Sequence, residues 1–552
     1  MGPPNLHPPA WVVKRDGRLV PFEADKISRS LFAATESLRR PDAFSARELT
    51  DGIVHFLAAE ADNGTLHSRQ IFDVVVKVVR ELGQPGLSQA FADFGQQRSR
   101  PAQAAHGSAR PPTEPARDAR ELGPQALAWR ASGMYGREYA LREVFSRDLV
   151  AAQADGLLTL GGLEAPFELA GCVLAGPPGP RLVEAVEQAR AFAGVFVAVD
   201  GPDYALSSPP AYARELGIAL RGTGLSAVVN LNTAVPPPWA DDLADGPLFA
   251  TRQASISRDR TAAVALDLAE ELLRAQSGPG MVRIDWHLGE RDLTAGDQSV
   301  LSRLARRALE GAPVAWTFDR PRRTVLLAEG LDRRHPAALL TVGLHLPRLA
   351  TQLGLRGDPT LYLQKLETLA RFALSAAVQK RDFLRRHCRD RPAFLLDQAR
   401  LVVVPIGLEA VVRELLGRGL CGGGPGLDLA REIIQRIQHV LATDGHACNL
   451  ECCLDSAADL HADVTPAAVG GLTSWDGTAR PRTQLQAASS LQASAERGTA
   501  AVLLDAEELP STEELIALLR FAWQRTHVAR MRLLRPVRPA KQLVAPWEEA
   551  AE

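Results

Sequence analysis

The stretch WVVKRDGRLVPFEADKI, residues 11–27, reads as a short β-hairpin followed directly by a helix. Two apolar segments, Val12-Val13 and Leu19-Val20, flank Asp16-Gly17, and an Asp-Gly pair in this position is a strong signal for a hairpin turn. Asp25 is a residue type that caps helices, and apolar residues follow it at helical spacing. We therefore predict a hairpin over residues 11–23 and a helix that Asp25 caps.

The charges of this stretch predict a site for an anion. Lys14 and Arg15 place two cations on the turn that Asp16-Gly17 forms, and a glycine lets the backbone approach a ligand closely. Lys26 lies in the first turn of the helix, where the helix N-terminus already favours negative charge. Phe22 is a residue type that could stack on a base. Together these residues suit a nucleoside triphosphate, although a solvated basic hairpin would explain them without a ligand.

Three further helices are predicted to complete a unit of about 90 residues, a size typical of a small domain. The capping box Ser45-Ala46-Arg47-Glu48 begins the first of them, in which we expect Phe56 to be buried. The second carries an apolar stripe at helical spacing from Ile71 to Leu82, and Gly83 and Pro85 end it. The third is short and spans residues 87–94.

The bulk composition limits the possible partners and compartments. The chain has 552 residues, of which 46% are hydrophobic and 23% charged, with a formal net charge of -2. That balance offers no basic surface for direct nucleic-acid binding, and the length predicts two or three domains. No apolar run approaches the roughly 20 residues of a membrane span, and the first residues do not resemble a signal peptide. Six cysteines are too few for a disulfide framework, so we expect a cytoplasmic protein.

The rest of the chain is predicted to be one long α/β region. Residues 101–125 are rich in Pro, Ala and Arg and read as a linker, and residues 537–552 as a tail. Between them, over residues 126–536, strand-like apolar runs alternate with amphipathic helices such as 361–386 and 427–442. The strand candidates are residues 192–199, 227–231, 282–284, 339–346, 401–406 and 500–504. Such alternation favours parallel strands covered by helices, as in a barrel or a doubly wound sheet.

The N-terminal unit closely resembles the ATP-cone, the allosteric adenine-nucleotide-binding domain of ribonucleotide reductases and of their transcriptional repressor. The run Val-Val-Lys-Arg-Asp-Gly (12–17) and the pair Lys26-Ile27 match the family pattern as they stand. The resemblance implies that residues 11–100 bind ATP or dATP. It would place Lys14 and Arg15 at the phosphates and Phe22 on the base side. Asp16 and Gly17 of the turn and Lys26 with Ile27 would complete the site, and Ser68 falls where the family has a polar contact.

This resemblance also suggests which kind of ATP-cone protein to expect. The repressor carries a zinc ribbon upstream of its cone, and residues 1–10 here contain no cysteine, so we do not expect the repressor. ATP-cones of the reductases report nucleotide state through oligomeric contacts, and we therefore expect a homo-oligomer. The resemblance does not distinguish a preference for ATP from one for dATP.

The large region resembles anaerobic (class III) ribonucleotide reductases over perhaps 300 residues, in order and spacing more than residue by residue. In the segment 339–386 the family's Leu-Pro-Arg is kept at 346–348, while His345 stands where the family has Asn. The stretch Gly407-Leu408-Glu409-Ala410 is similar to the family's Gly-Leu-Asn-Glu-Ala. The resemblance implies an α/β fold in which the ATP-cone, a small hairpin plus helical bundle, precedes a large barrel of the ribonucleotide reductase and glycyl-radical type.

The sequence lacks the residues on which the catalysis of that family depends. The family uses a glycyl radical near its C-terminus, a cysteine on a finger loop inside the barrel, and a four-cysteine zinc site. The last glycine, Gly498, has no Tyr after it, no Cys-x-x-Cys occurs, and segment 317–339 contains no cysteine. We therefore predict a nucleotide sensor or regulator without radical catalysis. The alternative is an anaerobic ribonucleoside-triphosphate reductase or a divergent radical enzyme, with Cys172 or Cys421 as weak catalytic candidates.

Other clusters give weaker signals. The sequence HACNLECCLDSAADLH (446–461) gathers His and Cys, but adjacent residues of a strand point to opposite faces, and zinc prefers paired ligands at loop spacing. We predict no metal. Asp285, Trp286 and His287 follow a predicted strand and could line a barrel mouth, and the charged segment 319–323 could bind phosphate or be a solvated loop.

Overall fold

The computed structural model describes most of the chain as an N-terminal domain and a larger domain after it. The described residues are 9–14, 16–61, 64–97, 124–175, 184, 186, 188–189, 192–200, 209–223, 225–232, 258–274, 282–294, 299–321, 323–388, 393–455, 479–492, 494, 499–503 and 510–534. Arg15, His461, nearly all of the predicted linker 101–125 and the predicted tail 537–552 lie outside them.

The N-terminal domain packs four helices against a small sheet. Its strands are β1 (Trp11–Val13), β2 (Leu19–Pro21) and β3 (Thr65–His67), and its helices are α1 (Ala24–Ser37), α2 (Ala43–Glu60), α3 (Ser68–Glu81) and α4 (Pro85–Gln97). β1 and β2 form the predicted antiparallel hairpin. β3 was not predicted; it pairs in parallel with β1 and places the start of α3 beside the hairpin.

The caps of α1 and α2 differ from the prediction. α1 begins at Ala24 with Glu23 in the capping position, so Asp25 is not the cap. Its carboxylate lies 2.6 Å from Nη1 of Arg47, and this ion pair inside the domain holds it away from the free backbone N–H groups. α2 begins at Ala43, and Asp42 caps it by accepting a hydrogen bond from the Ser45 amide at 2.9 Å. Ser45 is therefore inside the first turn.

Two residues expected in the core of this domain are on its surface. Phe56 is 51% exposed, because it lies on the side of α2 that faces away from the other helices. Leu82 is 56% exposed, because α3 ends at Glu81 and the apolar stripe ends with it. The rest of the predicted stripe is confirmed, with Val75 and Val79 fully buried.

The large domain is a single mixed sheet surrounded by helices. Its strands are β4 (Leu158–Leu160), β5 (Leu169–Ala175), β6 (Ala193–Asp200), β7 (Ser226–Asn232), β8 (Val282–Leu288), β9 (Val314–Phe318), β10 (Ala337–His345), β11 (Arg400–Ile406), β12 (Cys452–Leu454), β13 (Thr499–Leu503) and β14 (Arg530–Leu534). Its helices are α5 (Pro124–Tyr139), α6 (Arg147–Ala154), α7 (Pro209–Thr223), α8 (Arg258–Arg274), α9 (Glu290–Thr294), α10 (Ser299–Leu309), α11 (Leu346–Gln352), α12 (Pro359–His387), α13 (Ala393–Gln398), α14 (Leu408–Leu416), α15 (Pro425–Ala447), α16 (Pro481–Gln492) and α17 (Thr512–Arg525). No described helix is both long and apolar enough to cross a bilayer.

The strands of this sheet run in two opposite directions, and we call the two groups its halves: β5 to β9 form one, and β10 to β12, with β13 and β14 on the other side of that group, form the second. The order is β12-β11-β10-β5-β6-β7-β8-β9-β14-β13, with β4 added beside β10. β5 to β9 are parallel to one another, and so are β10 to β12 and β13 to β14. The two sets meet antiparallel at β5–β10 and at β9–β14. This arrangement confirms the predicted α/β fold and all six predicted strands.

The segment between β9 and β10, residues 324–336, passes through the concave side of the sheet; we call it the interior loop. Its Leu327, Ala328 and Leu331 pack against inward-facing residues of strands from both halves. Those strand residues are Ala170, Ala198, Val228, Ala338 and Val402. Because this small apolar cluster is separate from the main core between sheet and helices, the loop fills the inside of the sheet.

Candidate functional site

Lys14, one of the predicted cations, lies in the hairpin turn, directly after the end of β1. The Lys14 amide donates to the Arg18 carbonyl at 2.9 Å, and the Gly17 amide donates to the Lys14 carbonyl at 2.9 Å. Gly17 has φ +81°, a left-handed conformation that favours glycine. The ammonium of Lys14 has no ion-pair partner among the residues described. It is therefore available to an anionic ligand.

The parallel strand β3 brings a second predicted residue to the same edge. Val13 pairs with His67, so the next residues along each strand, Lys14 and Ser68, leave the sheet side by side. Ser68 is the first residue of α3, where the helix N-terminus favours negative charge. The pairing of two segments more than fifty residues apart was not evident from the sequence, and it places Ser68 next to Lys14.

The turn also contains Arg18, which was not among the predicted nucleotide-binding residues. Its side chain is exposed and pairs with Asp16 at 2.6 Å. The Asp16 carboxylate also accepts a hydrogen bond from the Arg18 amide at 3.1 Å, and these contacts lower its pKa. In this structure Asp16 therefore stabilises the turn, and Arg18 adds a cation to the Lys14 edge. The sequence signal that could have identified Arg18 was its position two residues after the turn aspartate Asp16.

The remaining predicted residues lie where the hairpin leads into α1. Phe22 follows β2 at the opposite end from Lys14, and its amide donates to the Ala10 carbonyl at 2.9 Å. Lys26 is exposed, and its Nζ lies 2.6 Å from Glu23, so a bound phosphate would have to compete with that carboxylate. Ile27 is buried in the domain core, which makes it a packing residue at the base of this region.

A buried ion-pair network lies inside the large sheet. Arg283 on β8 donates to Asp285 at 2.7 Å and to both oxygens of Glu329 at 2.6 and 3.0 Å. Arg530 on β14 approaches Asp285 at 3.3 Å and Glu329 at 3.6 Å. Burial opposes the ionisation of Glu329, but Arg283 and Arg530 outweigh it and hold its pKa at about 2. These contacts tie the interior loop to strands of both halves.

His287 forms a second polar cluster near the carboxyl ends of the parallel strands. Its Nδ1 lies 2.9 Å from Asp319, and its Nε2 lies 2.9 Å from Oδ1 of Asn230. The Asn230 amide nitrogen donates to the Val199 carbonyl, which fixes the direction of Oδ1. Both ring nitrogens therefore face acceptors, as suits an imidazolium. Burial lowers the pKa of His287, but the charge and hydrogen bond of Asp319 outweigh it, and the pKa is raised.

Of the three predicted barrel-mouth residues, Asp285 and His287 are inside the sheet and partnered, and the prediction for Trp286 is wrong. Asp285 and His287 face the interior, whereas Trp286 between them is fully buried in the core on the helix side. The neighbouring phosphate candidate, Arg320, donates to the Trp523 and Ala522 carbonyls at 2.6 and 2.8 Å. It therefore binds the C-terminal end of α17.

The tip of the interior loop is Gly330, at a position too narrow for any residue with a side chain. Gly330 has φ +70°, and a Cβ built on it would lie 2.3 Å from Val402 and 3.1 Å from Sγ of Cys453. Its amide donates to Asp455 at 2.6 Å. Cys453, just beyond, faces the interior, and its Sγ lies 4.0 Å from the Gly330 carbonyl. In the sequence, Cys453 was evident only as part of a His and Cys cluster whose spacing does not suit a metal site.

The cysteines selected as weak catalytic candidates lie elsewhere. Cys172 on β5 packs in the core on the helix side, and burial raises its pKa to about 12. Cys421 lies in a helical turn, Leu420–Gly422, before α15. Cys452 and Cys453 point to opposite faces of β12, as adjacent strand residues should. Among the described residues no group of His, Cys, Asp or Glu is arranged to hold a metal ion.

Comparison with known proteins matches the two domains separately. Residues 11–100 match the family model of the ATP cone domain. No curated protein sequence matches the chain.

Solved structures of anaerobic ribonucleotide reductases share the fold of the chain. The enzyme from Thermotoga maritima, solved in complex with dATP and CTP, aligns with a TM-score of 0.54 and 11% identity over 75% of this chain and 84% of that one. With citrate in its active site it aligns with a TM-score of 0.54 and 11% identity over 75% and 92%. A further anaerobic ribonucleotide reductase aligns with a TM-score of 0.54 and 12% identity over 74% and 78%. The chain therefore consists of an ATP-cone domain followed by a large domain with the fold of the anaerobic ribonucleotide reductases.

Proposed function

We propose that the protein binds ATP or dATP at its ATP-cone and acts as a nucleotide sensor or regulator. The observation that carries the proposal is the match of residues 11–100 to the ATP cone domain. The Lys14 ammonium, which has no ion-pair partner among the described residues, supports it together with the neighbouring Ser68 and the exposed Lys26 at the start of α1. These cations suit the phosphates of a nucleotide, and Phe22 would contact the base. Arg15, predicted at the phosphates, remains part of the proposed site.

We further propose that the large domain does not reduce ribonucleotides through a cysteine thiyl on its interior loop. Gly330 at the loop tip leaves no room for a side chain, and segment 317–339 contains no cysteine. The adjacent Glu329 is bound by two arginines, which favours a structural role for the loop. A fold outline can persist without its original chemistry, since packing depends on apolar patterning and not on a few reactive groups.

Titration calorimetry of the full-length protein with ATP and dATP tests the nucleotide site. Charge-assisted contacts to phosphate contribute about 1.5–3 kcal/mol each, so Lys14→Ala should weaken binding roughly tenfold or more. Lys77→Ala is the matched control, because Lys77 is an exposed lysine on α3 of the same domain. Absence of adenine-nucleotide binding by the wild-type protein would refute the proposal.

Anaerobic incubation with a radical activase, nucleoside triphosphates and formate tests the second proposal. We expect neither a radical signal in electron paramagnetic resonance nor any deoxynucleotide. Deoxynucleotide that disappears in a Cys172→Ala, Cys421→Ala or Cys453→Ala variant would instead identify a divergent reductase.

The oligomeric state, the location and the domain limits of the protein are also proposals. We propose a homo-oligomer whose contacts respond to nucleotide, and a cytoplasmic location. The six cysteines form no disulfide bond, which is the state expected in a reducing compartment. We propose domain limits of 11–100 and 126–536, with residues 101–125 as linker and 537–552 as tail.

A further inference from the structure

We propose that helix α12 of the large domain senses the nucleotide state of the ATP-cone. Docking of the first turn of α1 onto α12 would strengthen adenine-nucleotide binding, and bound nucleotide would strengthen docking in return. This inference rests on the proposed nucleotide site and adds the contact through which that site is regulated.

One face of α12 carries the polar groups that bind the cone. Lys365 forms an ion pair with Glu48 of α2. The Thr368 hydroxyl donates to Asp51 at 3.0 Å, and Nη1 of Arg371 donates to the same carboxylate at 2.9 Å. These three residues of α12 recur at helical spacing, so they form a continuous docking face.

The centre of the interface is Asp25 in the first turn of α1. Its carboxylate accepts a hydrogen bond from the Ser375 hydroxyl of α12 and pairs with Arg47 at 2.6 Å. Burial raises the pKa of Asp25, but Arg47 and Ser375 outweigh it, and the pKa is lowered. Asp25 is therefore a charged group held by partners from both the cone and the large domain.

Arg47 joins the same contact from the other side. It is 6% exposed, and its guanidinium lies 5.7 Å from the centre of the Phe372 ring of α12. Removing the cone from α12 would expose this cation to water and separate it from the ring. Undocking therefore changes the environment of the Asp25–Arg47 pair at the start of α1.

The nucleotide residues are next to this contact in the chain. Lys26 follows Asp25 directly, and only Phe22 and Glu23 separate β2 from α1. When α12 holds Asp25, it fixes the first turn of α1, and with it Lys26 and the end of the hairpin. A binding site whose groups are already ordered loses less entropy when the ligand binds. The docked cone should therefore bind nucleotide more tightly than an undocked one.

Thermodynamic linkage makes this coupling measurable from the large domain. If docking strengthens nucleotide binding, a change on α12 that weakens docking must weaken nucleotide binding as well. Ser375 and Arg371 belong to the large domain and bind Asp25 and Asp51, neither of which we place at the nucleotide. Their effect on affinity would report docking.

Titration calorimetry should compare the full-length wild type with Ser375→Ala and Arg371→Gln. We expect both variants to bind ATP and dATP about three- to tenfold more weakly. Each loses a hydrogen bond to a charged group, and only part of the lost docking free energy appears as lost nucleotide affinity. The matched control is Arg385→Gln on the same helix. Arg385 pairs with Asp397 of the large domain, and its substitution should leave affinity unchanged.

Hydrogen exchange of the same proteins provides the reciprocal measurement. Saturating nucleotide should slow exchange in α2 and in residues 365–375 of the wild type, and slow it less in Ser375→Ala. Wild-type and variant proteins that bind nucleotide equally well, or variants that bind it more tightly, would overturn the inference while leaving the nucleotide site intact. A wild type that binds no nucleotide would overturn both.

Discussion

Replacing Glu329 with glutamine should destabilise the large domain strongly. Glu329 is buried between Arg283, at 2.6 Å, and Arg530, at 3.6 Å. The glutamine has the same shape but no charge, so both guanidinium groups would keep their burial and lose a counter-charge. Breaking a buried ion pair by removing one partner typically costs about 3–5 kcal/mol, because a charge remains uncompensated.

The depressed pKa of Glu329, which has its cause in the same contacts, leads to a stabilisation of similar size. The pKa falls from 4.5, the ordinary value, to about 2 in the folded protein. One pH unit of difference corresponds to about 1.4 kcal/mol, so the ionised group contributes roughly 3 kcal/mol at neutral pH. Because the folded pKa is depressed, this stability is present above pH 4.5 and is lost as the pH falls from there towards 2.

Urea unfolding followed by tryptophan fluorescence measures the effect. Trp286 and Trp316 are fully buried on β8 and β9, so their emission reports unfolding of the sheet that contains the network. With a urea dependence of about 3 kcal/mol per M, a loss of about 3 kcal/mol lowers the midpoint by about 1 M at pH 7. Between pH 4.5 and pH 3 the wild type should lose stability faster than Glu329→Gln.

A matched substitution separates burial from the general effect of removing a charge. Glu310 is 51% exposed at its side chain and pairs with Arg307, so Glu310→Gln should cost less than about 1 kcal/mol. If Glu329→Gln unfolded at the same urea concentration as the wild type, with the same pH dependence, the interior network would not stabilise the sheet and our argument for a structural loop would fail.

Three further predictions concern the thiols, His287 and assembly. Burial raises the pKa of Cys172 to about 12, so iodoacetamide should label Cys172 far more slowly than the half-buried Cys388 in the folded protein, and at similar rates in urea, as peptide mass spectrometry would show. Asp319→Asn should lower the pKa of His287, measured by NMR of the ring; since the folded pKa is raised, its stabilising effect is present at low pH and lost as the pH rises through that pKa. ATP and dATP should give different sedimentation profiles of the full-length protein, and identical profiles at saturation would count against a regulatory assembly.

Apolar runs predicted six strands, but strand length did not separate those from the missed ones: β13 has five residues and was predicted, whereas β5 has seven and was missed. β7 and β11 are buried on both faces, and such parallel strands have nearly continuous apolar sequences. β9 has only five residues, and an apolar run of that length does not distinguish a strand from part of a buried helix. β14 was missed because Arg530 and Arg532 interrupt its apolar pattern.

The candidate sites were predictable only where their residues are neighbours in the chain. Lys14 and Lys26 belong to one hairpin and one helix start, so local turn and cap signals were sufficient to find them. Ser68 joined them through the pairing of β1 with β3. The interior network unites Arg283, Glu329 and Arg530, whose separations along the chain carry no periodic signal.

The sequence by itself determined the hairpin, the cations of the proposed nucleotide site and the lack of a cysteine in residues 317–339, because each depends on residues close together in the chain. The tertiary structure alone decided that Gly330 lies at the loop tip, that two arginines hold Glu329, and that Asp25 contacts Ser375 instead of capping α1. The physical reason is that these contacts require strand order, register and domain docking. A residue's choice between a local cap and a distant partner is settled only when both are brought within hydrogen-bond distance.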